Sequence, residues 1–379
     1  MKVALIHDWL VGMRGGEKCL EVFCELYPEA DLYTLVYAPD SISDKIRRMH
    51  VHSSWMNRLP SAQEHFRYLL PLFPYAIEQF DLGAYDLILS SSHCVAKGVF
   101  PHRAFHVAYT YAPMRYVWDL HDAYLAGGSG SILNRAGLAL FRSYLQRWDV
   151  RSSARVDAFV AISSNIAAKI ERLYTRTAKV IYPPVDVDRF AISSNVQPFY
   201  LIVSALVPYK RIDLAIEAFN ALQLPLKVVG SGPLRRSLEQ RAKSNIEFLG
   251  WLDDARIAEH YASCQALIFP GEEDFGIVPL EAQASGRPVI AFKRGGLLET
   301  VIGMEESPSQ LNPTGIFFDE QNAASLIAAV RLFERNRKRF DPGLIRSHAL
   351  KFSRERFKRE IAEYIDECLT RYGAVTRAC

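Results

Sequence analysis

Phe269-Pro270-Gly271-Glu272-Glu273-Asp274-Phe275-Gly276-Ile277-Val278-Pro279-Leu280-Glu281-Ala282 is the stretch on which the fold turns. The apolar run that ends at Phe269 reads as a strand, and an acidic loop containing glycine follows it. Pro279 stands where the first turn of a helix accepts a residue with no N–H. Gly286-Arg287-Pro288-Val289-Ile290-Ala291 supplies the next strand, so the segment reads strand, loop, helix, strand, the unit of a parallel sheet. Glu273 falls in the loop and Glu281 inside the helix, and the two carboxylates can face one cleft from different backbone settings. N–H groups around Gly276–Val278, at the positive end of the helix dipole, suit a bound phosphate. A carboxylate near a helix start is often a simple terminal charge. Two glutamates in this frame make that reading poor.

The same rhythm runs outward in both directions and makes the chain α/β. Val3–Ile6, Asp31–Val36, Leu87–Ser90, His106–Tyr109 and Phe159–Ile162 read as strands of a first sheet. The helix after the first strand opens near Gly15–Gly16, with Leu20, Val22, Phe23 and Leu26 as its apolar face. Phe199–Val203, Leu226–Val229, Ile246–Leu249, Ala266–Phe269, Val289–Phe292 and Gly315–Phe318 read as a second. Two successive doubly wound sheets are the simplest account. Tyr182-Pro183-Pro184-Val185 forbids helix and suits a stiff connection between them. The expected domains are residues 1–184, joined by a C-terminal helix at 351–379 that crosses back, and residues 185–350. After Gln321 the pattern is helical to Tyr372, with a break at Asp341-Pro342-Gly343.

Composition bounds the rest. The chain has 379 residues, enough for two domains, and is 49% hydrophobic and 23% charged, so it folds. A formal net charge of +3 gives no argument for nucleic-acid binding, which shows as a concentrated basic face. The six cysteines form no CxxC pair and read as reduced thiols. Met1–Asp8 carries too short an apolar run for a signal peptide, and no stretch approaches the ~20 apolar residues of a membrane span. The expected location is cytoplasmic, with peripheral contact on the cytoplasmic face of the inner membrane.

One region breaks the rhythm. Lys45 to Phe80 interleaves Arg47, Arg48, Arg58 and Arg67 with Trp55, Phe66, Tyr68, Leu69, Leu70, Leu72, Phe73 and Tyr75. Such a mixture docks on an anionic membrane surface or a lipid-linked acceptor. It also fits a segment, Leu69–Phe73, that caps the core of the first domain.

The Phe269–Ala282 stretch closely resembles the Glu-x7-Glu element of the retaining glycosyltransferases of family four, which have the GT-B fold. Glu273 matches the first glutamate and Glu281 the second, and the resemblance runs over almost the whole chain. It is similar to bacterial mannosyltransferases of surface polysaccharide and O-antigen synthesis. The resemblance implies two Rossmann-like domains facing a cleft, a nucleotide-sugar donor, and a glycan or lipid-linked acceptor. No cofactor and no bound metal are expected; there is no Asp-x-Asp motif at a strand end.

Further residues take their roles from the same resemblance. Lys210, in Ser204-Ala205-Leu206-Val207-Pro208-Tyr209-Lys210-Arg211, looks like the family's diphosphate-binding lysine, a compact charge suited to pyrophosphate. The family usually has arginine where Ala205 stands, and Arg211 is a candidate replacement. Phe275, Gly276, Ile277 and Val278 would border the donor, as would Gly15 and Gly16 after the first strand and Gly230 in Gly230-Ser231-Gly232-Pro233. Trp251 lies where the family's chain passes the nucleobase, though a buried structural tryptophan fits equally. Gly295-Gly296 and Glu299 read as the loop and helix after the next strand. His93, Lys97, Tyr111 and Arg115 would face the acceptor, with a surface or interdomain salt bridge an equal reading for Arg115. Many relatives carry histidine at Tyr111, and a phenol is a poorer base than an imidazole at neutral pH.

Glu273 would hold the transferred sugar or act close to its anomeric carbon, Lys210 would hold the leaving diphosphate, and Glu281 the ribose hydroxyls. With no lone nucleophile visible, the working mechanism is front-face attack with the leaving phosphate helping to deprotonate the acceptor. Mannose from GDP-mannose is the favoured donor, with UDP- or dTDP-sugars as alternatives. An epimerase or hydrolase on the same fold, or a non-catalytic nucleotide-sugar-binding partner, are the rival functions. The first glycine loop lacks G-x-G-x-x-G, which argues against a Rossmann dehydrogenase.

Overall fold

The computed structural model describes residues 1–118, 132–304 and 312–376. The chain divides into two units, Met1–Pro184 with Phe357–Cys379, and Val185–Arg356. The first holds seven parallel strands: β1 Val3–His7, β2 Asp31–Thr34, β3 His50–Ser53, β4 Leu87–Ser92, β5 Phe105–Thr110, β6 Ala158–Ala161 and β7 Ala178–Val180. They lie in the order β3-β2-β1-β4-β5-β6-β7. The second holds β8 Tyr200–Val203, β9 Leu226–Val229, β10 Ile246–Gly250, β11 Leu267–Phe269, β12 Val289–Phe292 and β13 Gly315–Phe318, ordered β10-β9-β8-β11-β12-β13. Both are Rossmann-like sheets, as in the GT-B fold, and each reverses its strand order beside its first strand. Ligands of such sheets bind beyond the strand C-termini at that switch point. The loops after β1 and β4, and after β8 and β11, are therefore the places to look.

Central strands read as they should for a parallel sheet covered on both faces. Every residue of β1, β4, β5 and β12 is buried. Two strands escaped the sequence reading, β3 and β7. Both are edge strands, His-Val-His-Ser and Ala-Lys-Val, with partly exposed residues and no apolar run. The first core gathers Ile6, Leu35, Phe66, Phe73, Ile77, Ile88 and Trp148; the second gathers Ile202, Phe219, Val228, Ile268, Ile290 and Phe333.

The expected return to the first unit at 351 falls at Phe357 instead. Residues just before it stay with the second unit, where Val185 N donates to Phe352 O at 2.9 Å and Phe352 packs on Phe275 with centroids 5.9 Å apart. The helix Arg354–Thr376 then sets Phe357 against Phe23 and Tyr109 in the first unit. Residues 377–379 of the expected C-terminal helix lie outside the described residues.

Lys45–Phe80 divides its side chains. Met56, Phe66, Leu70, Phe73, Ala76 and Ile77 are buried in the core, while Arg58, Leu59, Arg67, Tyr68, Leu72 and Tyr75 are exposed. Among the described residues no helix is long and apolar enough to cross a membrane.

Candidate active site

In the second unit the loops after β8 and β11 meet at Lys210 and Glu273. Lys210 ends a short 3-10 turn, Pro208–Lys210, and its ammonium forms an ion pair with the Glu273 carboxylate. A Cβ added at Gly271 would lie 3.1 Å from the Lys210 Cα and carbonyl oxygen, so glycine brings the second loop close against the first. Glu273 is fixed from the other side by Gly296, whose N–H donates to its carbonyl at 2.8 Å. Gly295 has φ +65°, and a Cβ there would sit 2.3 Å from that same oxygen. The Gly295–Gly296 pair read from the sequence thus holds the backbone that carries Glu273.

Gly276, at φ +103°, turns the chain into the helix Ile277–Ala284. No side chain caps this helix, and Pro279 has no N–H to satisfy, so the Ile277 and Val278 amides point out from a positive helix end. Glu281 lies four residues after Ile277, on the same face. The buried Tyr261 donates its hydroxyl to Glu281 Oε2 at 3.1 Å, which orients the carboxylate. Burial and the negative charge of Glu281 push the Tyr261 phenol well up, so it stays a donor. Sequence reasoning missed Tyr261, since a tyrosine in a neighbouring helix carries no motif.

Two sequence assignments change here, and one alternative falls. Arg211 is not aimed at a phosphate: Asp213 and Gln321 hold its guanidinium at 3.2 Å each, and Gln321 Nε2 donates to Pro270 O at 3.0 Å, bracing the loop after β11. Phe275 is buried against Phe352, which leaves only its backbone to border a ligand. Trp251 is 77% exposed, which removes the buried structural reading. Gly230, at φ +128°, packs beneath the loop after β8, where a Cβ would lie 1.9 Å from Ser204 O. Ala205 is exposed.

The first unit builds a polar cluster at its own switch point. Asp8, fully buried just after β1, accepts four backbone N–H groups from the loop after β4: His93 at 2.7 Å, Cys94 at 3.0 Å, Val95 at 2.6 Å and Ala96 at 2.7 Å. His93 Nδ1 lies 3.0 Å from Asp8 Oδ2, and Trp9 meets the imidazole edge-on at 4.4 Å. Burial alone would raise the Asp8 carboxyl; His93 and its hydrogen bonds outweigh it and lower the pKa to about 2. A buried carboxylate that orients a partly exposed imidazole is the arrangement that lets the outer ring nitrogen exchange a proton. The signal for Asp8 was an aspartate immediately after the first strand.

Tyr111 and Lys97 serve other ends than the sequence suggested. The Tyr111 hydroxyl donates to Gly16 O at 2.9 Å and bonds Ser91 Oγ at 2.9 Å, and Ser91 in turn bonds His7 Nδ1 at 2.9 Å. It ties the start of the helix Gly15–Leu26 to β4, and burial pushes its phenol well up, so it is no base. Lys97 is 1% exposed and donates to Asp149 O at 2.7 Å and Ser152 Oγ at 2.9 Å, with Asp149 Oδ1 3.1 Å away. A buried ion pair, and not an acceptor contact, uses this lysine. Arg115 opens the short helix Arg115–Trp118 with its side chain partly buried.

Residues 13–189 match the model of glycosyltransferase family 4, and residues 186–342 that of the glycosyl transferases group 1. An uncharacterised glycosyltransferase of Methanocaldococcus jannaschii is 32% identical over 151 residues, 38% of this chain and 43% of the relative. The O-antigen chain mannosyltransferase C of Escherichia coli is 31% identical over 163 residues, 38% of this chain and 44% of that protein. The chain thus spans under half the length of these two curated relatives. The crystal structure of Anabaena HepE in complex with UDP has the same fold, with a TM-score of 0.72 and 19% identity over 97% of this chain and 100% of that one.

Proposed function

Because the chain belongs to the glycosyltransferases of group 1 and family 4, we propose that it moves a hexosyl group from a nucleotide-sugar to a glycan or lipid-linked acceptor. The observation that carries this reading is the pairing of Lys210 with Glu273 beside a helix whose first amides are uncapped. Breaking the anomeric bond leaves extra charge on a nucleoside diphosphate and an oxocarbenium-like sugar. Lys210 and the Ile277 and Val278 amides would stabilise the former, and Glu273 the latter. Glu281, oriented by Tyr261, would hold the ribose, and the exposed Trp251 would lie against the base. His93, oriented by Asp8, would take the acceptor hydroxyl, with Arg115 near its phosphate.

The reaction retains anomeric configuration by front-face attack and uses no metal. Mannose from GDP-mannose is the favoured donor, a reading supported by the mannosyltransferase among the relatives. HepE's complex with UDP keeps uridine donors in the test. The exposed Arg58, Arg67, Tyr68, Leu72 and Tyr75 support peripheral contact with an anionic membrane, where a lipid-linked acceptor would be found. Thermal-shift titration with GDP, UDP, ADP and dTDP tests the donor, since a ligand that binds only the native state raises Tm. A rise with GDP alone is expected. A rise with UDP or dTDP alone rejects GDP-mannose, and no rise with any of them rejects the donor site.

A further inference from the structure

We propose that Asp31, His50 and His52 form a binding site for a divalent transition-metal ion on the edge of the first unit's sheet. One ligand atom from each of the three lies within 4.8 Å of the others. The register makes this so: β2 and β3 run parallel with Asp31 opposite His50 and Tyr33 opposite His52. Side chains two apart on a strand share a face, so both imidazoles and the carboxylate project to the same side. His50 Nδ1 and His52 Nε2 lie 2.6 and 3.1 Å from the same oxygen, Asp31 Oδ1.

The surroundings hold the three groups in place. Tyr85 donates its hydroxyl to the other carboxylate oxygen, Asp31 Oδ2, at 2.6 Å, and Tyr33 bonds the Tyr85 hydroxyl at 2.9 Å. The Tyr33 ring stacks on His52 with centroids 4.6 Å apart and planes 15° from parallel. Orientation of ligating carboxylates and imidazoles by such neighbours is what fixes a metal site. Among the described residues the ion-pair partners of Asp31 are these two imidazoles, with no lysine or arginine.

Metal–ligand bonds of roughly 2.0–2.2 Å set tetrahedral donor atoms about 3.4 Å apart, so an ion between them asks for a shift of about 1 Å of His50 Nδ1 away from Asp31 Oδ1. His50, with its side chain 75% exposed, is free to make it. Two imidazoles and one carboxylate suit zinc and its first-row neighbours, and do not suit magnesium or calcium, which take oxygen ligands. Asp31 and His50 open their strands, so the site lies at the N-terminal edge of the sheet, whereas His7 and the loops of the candidate active site lie at the C-terminal edge. The ion would pin β3 to β2 and leave transfer chemistry alone.

Zinc titrated calorimetrically into the EDTA-stripped full chain tests this, with Tm read in parallel. One equivalent per chain and a raised Tm are expected, with no response to magnesium. His50→Ala or His52→Ala should abolish the stoichiometric binding, and Tyr85→Phe should weaken it roughly 10- to 100-fold. Since His50 is exposed, His50→Ala keeps the test intact even where His52→Ala fails to fold. No stoichiometric binding to the wild type, or binding undiminished in the histidine variants, overturns the site.

Discussion

The ammonium of Lys210 is ion-paired to the carboxylate of Glu273, across the loops that follow β8 and β11. On the proposed function each group has a partner that a donor would displace: a diphosphate would take the cation, and sugar hydroxyls the carboxylate. The pair keeps two charged groups satisfied in a largely enclosed place until substrate arrives.

Lys210→Ala should weaken nucleotide diphosphate binding and lower kcat together, because in the proposed reaction the lysine would meet charge that grows in the transition state. A loss in kcat/KM on the order of 10²-fold is expected. Steady-state kinetics with the donor varied reads it, and an unchanged kcat/KM would remove Lys210 from the site.

Tyr261→Phe removes one hydrogen bond to Glu281 and little volume. Loss of such a bond is worth about 1–2 kcal/mol, so KM for the donor should rise roughly 5- to 30-fold with kcat nearly kept. The opposite split, with kcat falling and KM fixed, would assign Glu281 to the chemical step.

Lys97→Met tests the corrected reading of that residue. Among the described residues it leaves the buried Asp149 carboxylate with its bonds from Trp118 and Tyr174, at 2.8 Å each. Breaking a buried pair costs about 3–5 kcal/mol, a fall in melting temperature on the order of 10 °C. A stable variant with a raised KM for the acceptor would restore the acceptor role.

Asp8 makes acid stability sensitive to one side chain. Its folded pKa of about 2 lies below the ordinary carboxyl value, so the stability it adds is full above roughly pH 4 and is lost as pH falls toward 2. The gap of nearly two pH units corresponds to about 2–3 kcal/mol. Asp8→Asn should be less stable at neutral pH and should lose less between pH 4 and pH 2. Parallel pH slopes of Tm in the two proteins would contradict this.

Much of the fold was readable because buried parallel strands carry mostly apolar runs that alternate with helical patterns. All six strands of the second sheet were visible for that reason. β3 and β7 were not, since these two edge strands, His-Val-His-Ser and Ala-Lys-Val, carry no such run. The site was legible where backbone demands left a signature: Gly276 and Gly295 adopt left-handed turns, and Pro279 marks a helix start. It was illegible where a residue's partner is distant in sequence. Lys97 reads as a cleft cation until Asp149, 52 residues on, is seen to hold it. Arg211 reads the same way until Gln321 is seen beside it.

Group transfer by this chain is expected to depend on Glu273. The most direct measurement is nucleotide release from a nucleotide-sugar, with and without a glycan acceptor, by the wild type and Glu273→Ala. Acceptor-dependent release, cut by roughly 10²-fold or more in the variant while nucleotide binding persists, is the predicted result. Release of free sugar without acceptor, or an equal rate in Glu273→Ala, would contradict it.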